Sequence, residues 1–204
     1  MTPGDFEAVD TARVRLNSTD VFGRSFTDPY SELFSASLKY SAISKLKVYL
    51  IEADGTQHGP VTPGRLSAFT KFKFVAVGIL HAGIVTITLA KDENPDLQRH
   101  FDRLGKTPKL ELQNGARMYI FHHAGALGNF SGPIDGIGKV HSVSDTWASK
   151  ELLLLPPTPG EGHWIRHPSL FVGDLPVDIL VAMKGLTSGQ SGDKGDPLET
   201  RRAS

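Results

Sequence analysis

Phe74 to Ala90, FVAVGILHAGIVTITLA, carries no Asp, Glu, Lys or Arg and is bracketed by Lys73 and Lys91. An apolar run in mid-chain must be buried, in a bilayer or in a core. A spanning helix needs about 20 apolar residues; this run is shorter and is interrupted by Gly78, His81 and Gly83. Its second half sets Val85, Ile87 and Leu89 against Thr86 and Thr88. That is period two, the mark of a strand with one buried face. The run therefore predicts a β-hairpin turning near Leu80-His81-Ala82-Gly83, and no transmembrane helix.

The rest of the chain agrees with a β-rich body. With 204 residues it is long enough for one domain and scarcely for two. Its 39% hydrophobic residues can fill a core without staples. Cysteine is absent, which removes disulfides, thiolate nucleophiles, iron–sulfur clusters and Cys-ligated zinc together. Lys+Arg and Asp+Glu are both 22, so neither a strongly basic nucleic-acid binder nor an acidic solvating chain describes the whole. Met1-Thr-Pro-Gly-Asp-Phe-Glu7 has neither a basic region nor an apolar stretch, so no signal peptide is expected, and a cytoplasmic setting is the expectation that also fits the missing cysteines.

Residues 1–28 mix both charge signs without a sustained period and predict a polar, mobile arm. Asp28-Pro29 resembles a helix start, with Tyr30, Leu33, Phe34 and Leu38 on one face over 29–38. Ile43 to Glu52 alternates as a strand that turns at Asp54-Gly55. Thr62-Pro63 offers a second helix start, running to about Thr70, and Lys71-Phe72-Lys73-Phe74 then returns to period two. In Asn94-Pro95-Asp96 a capping side chain, a proline that sacrifices no hydrogen bond and an acid at the positive helix end coincide. Leu97, Phe101 and Leu104 line that helix, and Gly105 suits a left-handed C′ position. Lys109 to Phe121 predicts a hairpin with a type I′ turn at Asn114-Gly115.

Five glycines between Gly125 and Gly138 read as a flexible loop, followed by a strand over Lys139–Val143. Trp147–Leu155 is open between a short helix capped by Asp145 and a buried strand, and Pro156-Pro157 must end either. Residues 168–184 predict a strand on Val177, Ile179, Val181 and Met183, and 185–204 a disordered tail. The fold class is thus mainly β or α+β: a compact antiparallel sheet domain over 29–184, with two or three short helices and mobile termini.

Chemistry-bearing patterns are sparse. His163 and His167 have the i, i+4 spacing of a helical zinc pair, yet Pro168 follows directly and favours two loop histidines. His122 and His123 end a strand and point to opposite faces; His81 reads as a turn residue satisfied by backbone. Gly136-Ile-Gly138-Lys-Val-His141 starts like a dinucleotide fingerprint but no helix start follows, and Gly185–Gly195 lacks the ending of a P-loop. No hydrolase elbow or metalloprotease motif occurs, so an enzyme is not the expectation and neither is a cofactor. An unfamiliar active site would need His123, His141, Asp135 or Asp145 to cluster. Arg99 and Arg103 share a helix face with Lys106 and Lys109 beyond them, a candidate contact for phosphate or a partner.

Val77-Gly-Ile-Leu-His-Ala-Gly-Ile-Val-Thr-Ile-Thr-Leu-Ala-Lys-Asp-Glu93 resembles a stretch of rhabdovirus-type viral matrix proteins, where two glycines flank a short turn into a Thr-bearing strand that ends in acidic residues. The plan of a small chain with a polar arm and one β-rich domain is similar too. Unlike that family's lysine-rich arm, this one holds Asp5, Glu7 and Asp10, and no Pro-Pro-x-Tyr motif is present. The resemblance implies a non-enzymatic assembly protein that self-associates and bridges nucleoprotein and an anionic membrane surface, without a specific small molecule. A β-barrel capsid or movement-type protein is one alternative. A small-molecule or peptide-binding β-domain is the other, with 125–138 as its mouth and Phe121, Phe130, Trp147 or Trp164 lining a pocket.

Overall fold

The computed structural model describes residues 18–19, 25–26, 31–62, 69, 73–144, 150–168 and 171–189. Most of the N-terminal arm, the Asp28-Pro29 start, most of the second helix, Lys71, Phe72, Asp145, Trp147 and the tail beyond 189 lie outside them. Within the arm, β1 (Ser18–Thr19) and β2 (Ser25–Phe26) pair as a small antiparallel ribbon.

The remaining strands form two antiparallel sheets, as the period-two segments require. One has four strands in the order β11-β5-β3-β4, where β3 is Val48–Glu52, β4 Gln57–His58, β5 Phe74–Leu80 and β11 Leu152–Leu155. The other has six in the order β12-β7-β8-β6-β10-β9. There β6 is Ile84–Leu89, β7 Lys109–Glu111, β8 Arg117–His122, β9 Phe130–Ile134, β10 Gly138–Ser142 and β12 His163–Arg166. Helix α1 (Ser31–Ser41) packs on β3 and β5 through Leu33 and Phe34.

Pleating divides the core. Val85, Ile87 and Leu89 of β6, Tyr119 and Phe121 of β8 and Val140 of β10 share one face of the six-stranded sheet. Phe101 of α2 (Pro95–Arg103) and Met183 of α3 (Val177–Gly189) cover that face. The Phe101 ring lies 4.9 Å from Tyr119 and 5.0 Å from Phe121, and its burial alone contributes about 1.5–3 kcal/mol. On the opposite face Ile120 and Leu110 join the four-stranded sheet's Val48, Leu50, Val77 and Ile79 in a second cluster.

The uncharged run forms two strands, as expected, but no hairpin. β5 pairs with β3 and β11, β6 with β8 and β10, so the chain crosses from one sheet to the other at His81-Ala82-Gly83. The crossing backbone is satisfied by other strands: His81 N–H donates to Glu151 O (2.9 Å) and Gly83 N–H to Val143 O (3.1 Å). A hairpin would leave one flank of each strand to pair elsewhere; here both flanks of both strands are taken, which suits the near-continuous burial of the run.

Four further expectations change. The glycine segment is largely the β9–β10 hairpin, with Gly136 and Gly138 turning at φ 71° and 105°, and Pro133 tolerated because β9 is an edge. The strand over 168–184 is instead helix α3, which continues to Gly189; Leu180 N–H donates to Pro176 O, and Ile179, Leu180 and Met183 form the inward stripe. At the β7–β8 turn Leu112 O accepts from Gly115 N–H, and only Gly115 has positive φ. That is a type I turn closed by a left-handed glycine rather than type I′. α2 begins as expected, with Asn94 Oδ1 accepting from Leu97 N–H (3.1 Å), but it ends on an extended Leu104, not on a left-handed Gly105. Of the ambiguous Trp147–Leu155 segment, the described part holds the strand β11.

Candidate functional site

The crossing places His81 one residue beyond the Leu80↔Leu152 pair, directly against Glu151. His141 of β10 lies opposite Thr86 of β6, on the face away from α2 and α3. Alternation therefore brings Thr86, Thr88, Met118, Lys139 and His141 of the six-stranded sheet toward β11 of the other. A cavity of about 430 Å³ opens there, lined also by His81, Ser131, Glu151 and Glu161.

Three side chains converge at its wall. His141 Nε2–H donates to Glu151 Oε1 at 2.5 Å, and His81 Nδ1 lies 3.5 Å from the same oxygen. The two imidazole centroids are 4.5 Å apart. His81 is fully buried, and among the described residues its Nε2 has no hydrogen-bond partner; such an orphan costs about 1–3 kcal/mol. Burial, reinforced by His141, pushes its pKa down to about 4 against the pull of Glu151, so the ring is neutral at pH 7. Glu161, on the same cavity, is pushed up by burial. Perturbed groups around a cavity are what a binding or catalytic site looks like. Two imidazoles and a carboxyl group can hold a cation or pass a proton.

The sequence-level candidates fall elsewhere. Lys109 is buried; its Nζ donates to both Asp102 oxygens (2.8 and 2.9 Å) and lies over the Tyr119 ring, so it offers nothing to an outside phosphate. Arg99 is paired with Asp96 on the exposed face of α2. Arg103 and Lys106 are exposed, and the Lys106 ammonium sits 5.6 Å from the centre of the Phe171 ring. His123 does not join His141: its Nε2 meets Val143 O (2.9 Å) and its Nδ1 accepts from Leu127 N–H. Asp135 lies in the β9–β10 turn, on a different cavity. His163 and His167 stand at a strand rather than on a helix, and His167 stacks on Tyr40.

Phe121 lies in the core, and the glycine segment pairs as β9–β10, its turn lining a separate cavity of about 660 Å³ with Pro133, Asp135 and Gly136. Trp164 does line an open cleft of about 1050 Å³, with Tyr40, His167, Pro156, Pro157 and Pro159. Trp164 Nε1–H donates to Tyr40 OH (2.7 Å), which donates to Pro156 O.

The exposed large apolar side chains among the described residues all fall between Ile165 and Val181: Ile165, Phe171 (51% exposed), Val177 (73%) and Val181 (63%). The segment that carries them is anchored, since His122 N–H donates to Gly173 O and Leu175 N–H to His122 O. No helix among the described residues is long and apolar enough to cross a membrane. No protein-family model, curated protein or solved structure matches the chain.

Proposed function

We propose that this chain is a non-enzymatic assembly protein of viral matrix type, acting in the host cytoplasm and the virion. It self-associates through the apolar surface of its C-terminal segment and bridges nucleoprotein to an anionic membrane surface. One observation carries the reading: the exposed large apolar side chains among the described residues are Ile165 and three on the stretch from Phe171 to Val181, which is tied to β8 through Gly173 and Leu175. Scattered apolar residues need no explanation; a run of them held in place and facing water favours a docking role. Lys106 over Phe171, with Arg103 a turn earlier, gives that stretch a cationic neighbour suited to anionic head groups or nucleoprotein. Among the described residues both sheets end on edge strands (β12 and β9, β11 and β4), which supports an open matrix-like body over a closed capsid or movement-type barrel.

Sedimentation velocity over a wide concentration range, with co-sedimentation on phosphatidylserine vesicles, tests it. Association should weaken in Phe171→Ser and in Val177→Ser/Val181→Ser, and vesicle binding in Arg103→Ala/Lys106→Ala. A strict monomer at high concentration that binds neither vesicles nor nucleoprotein would overturn the proposal.

A peptide-binding β-domain is the second reading, favoured by the cleft that Tyr40, Trp164 and three prolines wall. Its aromatic wall is held rigid by the Trp164–Tyr40–Pro156 hydrogen-bond chain, as a binding groove requires. A peptide ligand should then change the Trp164 fluorescence of a Trp147→Phe protein.

A further inference from the structure

We propose that His81, His141 and Glu151 form a binding site for one divalent metal ion of the zinc class, bridging the two sheets. Among the described residues these three alone bring histidine and carboxylate ligand atoms together, each within 4.8 Å of the other two. Two imidazoles with one carboxylate is a donor set that zinc accepts with a fourth position free. Tetrahedral bonds of about 2.0–2.1 Å place ligand atoms about 3.3 Å apart. The observed separations of 2.5 Å (His141 Nε2 to Glu151 Oε1) and 3.5 Å (His81 Nδ1 to Glu151 Oε1) bracket that value, so small side-chain rotations suffice.

Three independent features agree. The ligands come from separate parts of the chain: the crossing between β5 and β6, the middle of β10, and the residue that leads into β11. His141 is fixed by pairing with Thr86, and His81 N–H donates to Glu151 O just beyond the Leu80↔Leu152 pair, so the three backbones are held as a preorganised site requires. His81 is a fully buried histidine whose Nδ1 faces Glu151 at the corner between the two sheets. The cavity beside the three ligands is also lined by Lys139, Ser131 and Glu161. Solvent or an anionic group can enter it there, with Lys139 balancing a second negative charge. The ion would tie the two sheets together beside the crossing.

The test uses the full chain stripped with EDTA and dialysed. Calorimetric titration with zinc chloride at neutral pH should show one ion per chain, and cobalt(II) should give the intense visible bands of a tetrahedral site. His141→Ala and Glu151→Gln are partly exposed positions that the fold tolerates; each should weaken zinc at least tenfold and abolish the cobalt bands with unchanged circular dichroism. His163→Ala/His167→Ala, histidines outside the cluster, should keep both signals. Absence of stoichiometric binding would overturn the proposal. So would binding that survives His141→Ala and Glu151→Gln, or binding that disappears in His163→Ala/His167→Ala.

Discussion

Removing the Asp102 carboxylate tests how the basic residues of α2 and β7 are used. The Lys109 side chain is only 7% exposed, and its ammonium is held by both Asp102 oxygens at 2.8 and 2.9 Å. In Asp102→Ala that charge stays buried with the Tyr119 ring as its remaining close neighbour. Breaking a buried pair from one side costs about 3–5 kcal/mol. Asp102 itself is 35% exposed, so water can follow the deleted carboxylate, and the lower end, about 3 kcal/mol, applies. With a urea m value of about 2 kcal/mol/M, the unfolding midpoint should fall by about 1.5 M. Lys109→Met removes the charge together with its need for a partner, so it should cost less, about 1 kcal/mol. Added to Asp102→Ala, it should restore part of the loss, giving a coupling of about 2 kcal/mol in the double-mutant cycle. The assay is urea unfolding followed by tryptophan fluorescence and circular dichroism at neutral pH. A midpoint shift below about 0.5 M for Asp102→Ala, the size of an exposed ion pair, would refute the reasoning. So would a Lys109→Met protein of unchanged stability that loses affinity for anionic vesicles, since Lys109 would then be a surface contact.

Gly162→Ala should lower stability by more than about 2 kcal/mol: the residue sits at φ 75° and its new Cβ would lie 2.1 Å from Glu111 O, so thermal unfolding should drop and hydrogen exchange of the β12 amides should accelerate. Tyr40→Phe should cost about 1–3 kcal/mol by leaving Trp164 Nε1–H and Pro156 O without their shared hydroxyl, read as a lower urea midpoint. His122 is held below its ordinary pKa by burial first and by the Lys45 ammonium second, with Asp174 opposing and His123 adding slightly. Its folded pKa therefore lies below its unfolded value of about 6.5, so its contribution is complete above that pH and is lost as the pH falls below it. Lys45→Met should raise the His122 titration midpoint in proton NMR and reduce that acid loss; an unmoved midpoint would remove Lys45 as a cause.

Local chemistry was the legible part of the fold. Asn94-Pro95-Asp96 combines three end-of-helix effects that act within one turn, and α2 starts where they say. The Lys109–Phe121 hairpin follows from alternation on either side of Asn114-Gly115, although the turn type depends on one more residue than a sequence motif counts. Period two in Val177, Ile179, Val181 and Met183 misled because a short apolar run fits a strand as well as a helix stripe through Ile179, Leu180 and Met183. The glycine segment misled because left-handed backbone serves a tight hairpin as readily as a loose loop. The candidate site was hidden for a different reason. His81 is far in the chain from His141 and Glu151 and meets them through the pairing of β6 with β10 and β5 with β11, whereas the hairpin reading assigned β5 and β6 to each other. Nothing local marks Glu151, which lies in the segment where helix and strand patterns compete. Among the basic candidates, sequence could not distinguish the buried Lys109 from the exposed Lys106, since each is simply a lysine near the end of an amphipathic helix.

The passage of one uncharged ribbon from sheet to sheet makes the molecule mechanically indivisible. β5 needs β11, contributed by residues 152–155, while β6 needs β8 and β10 from the sequence in between. Neither layer can be excised with its own partners, because a cut anywhere between residues 80 and 152 strands an inner edge of one of them. Pairing a strand from one end of the chain with one from the other is the kind of non-local contact that slows folding.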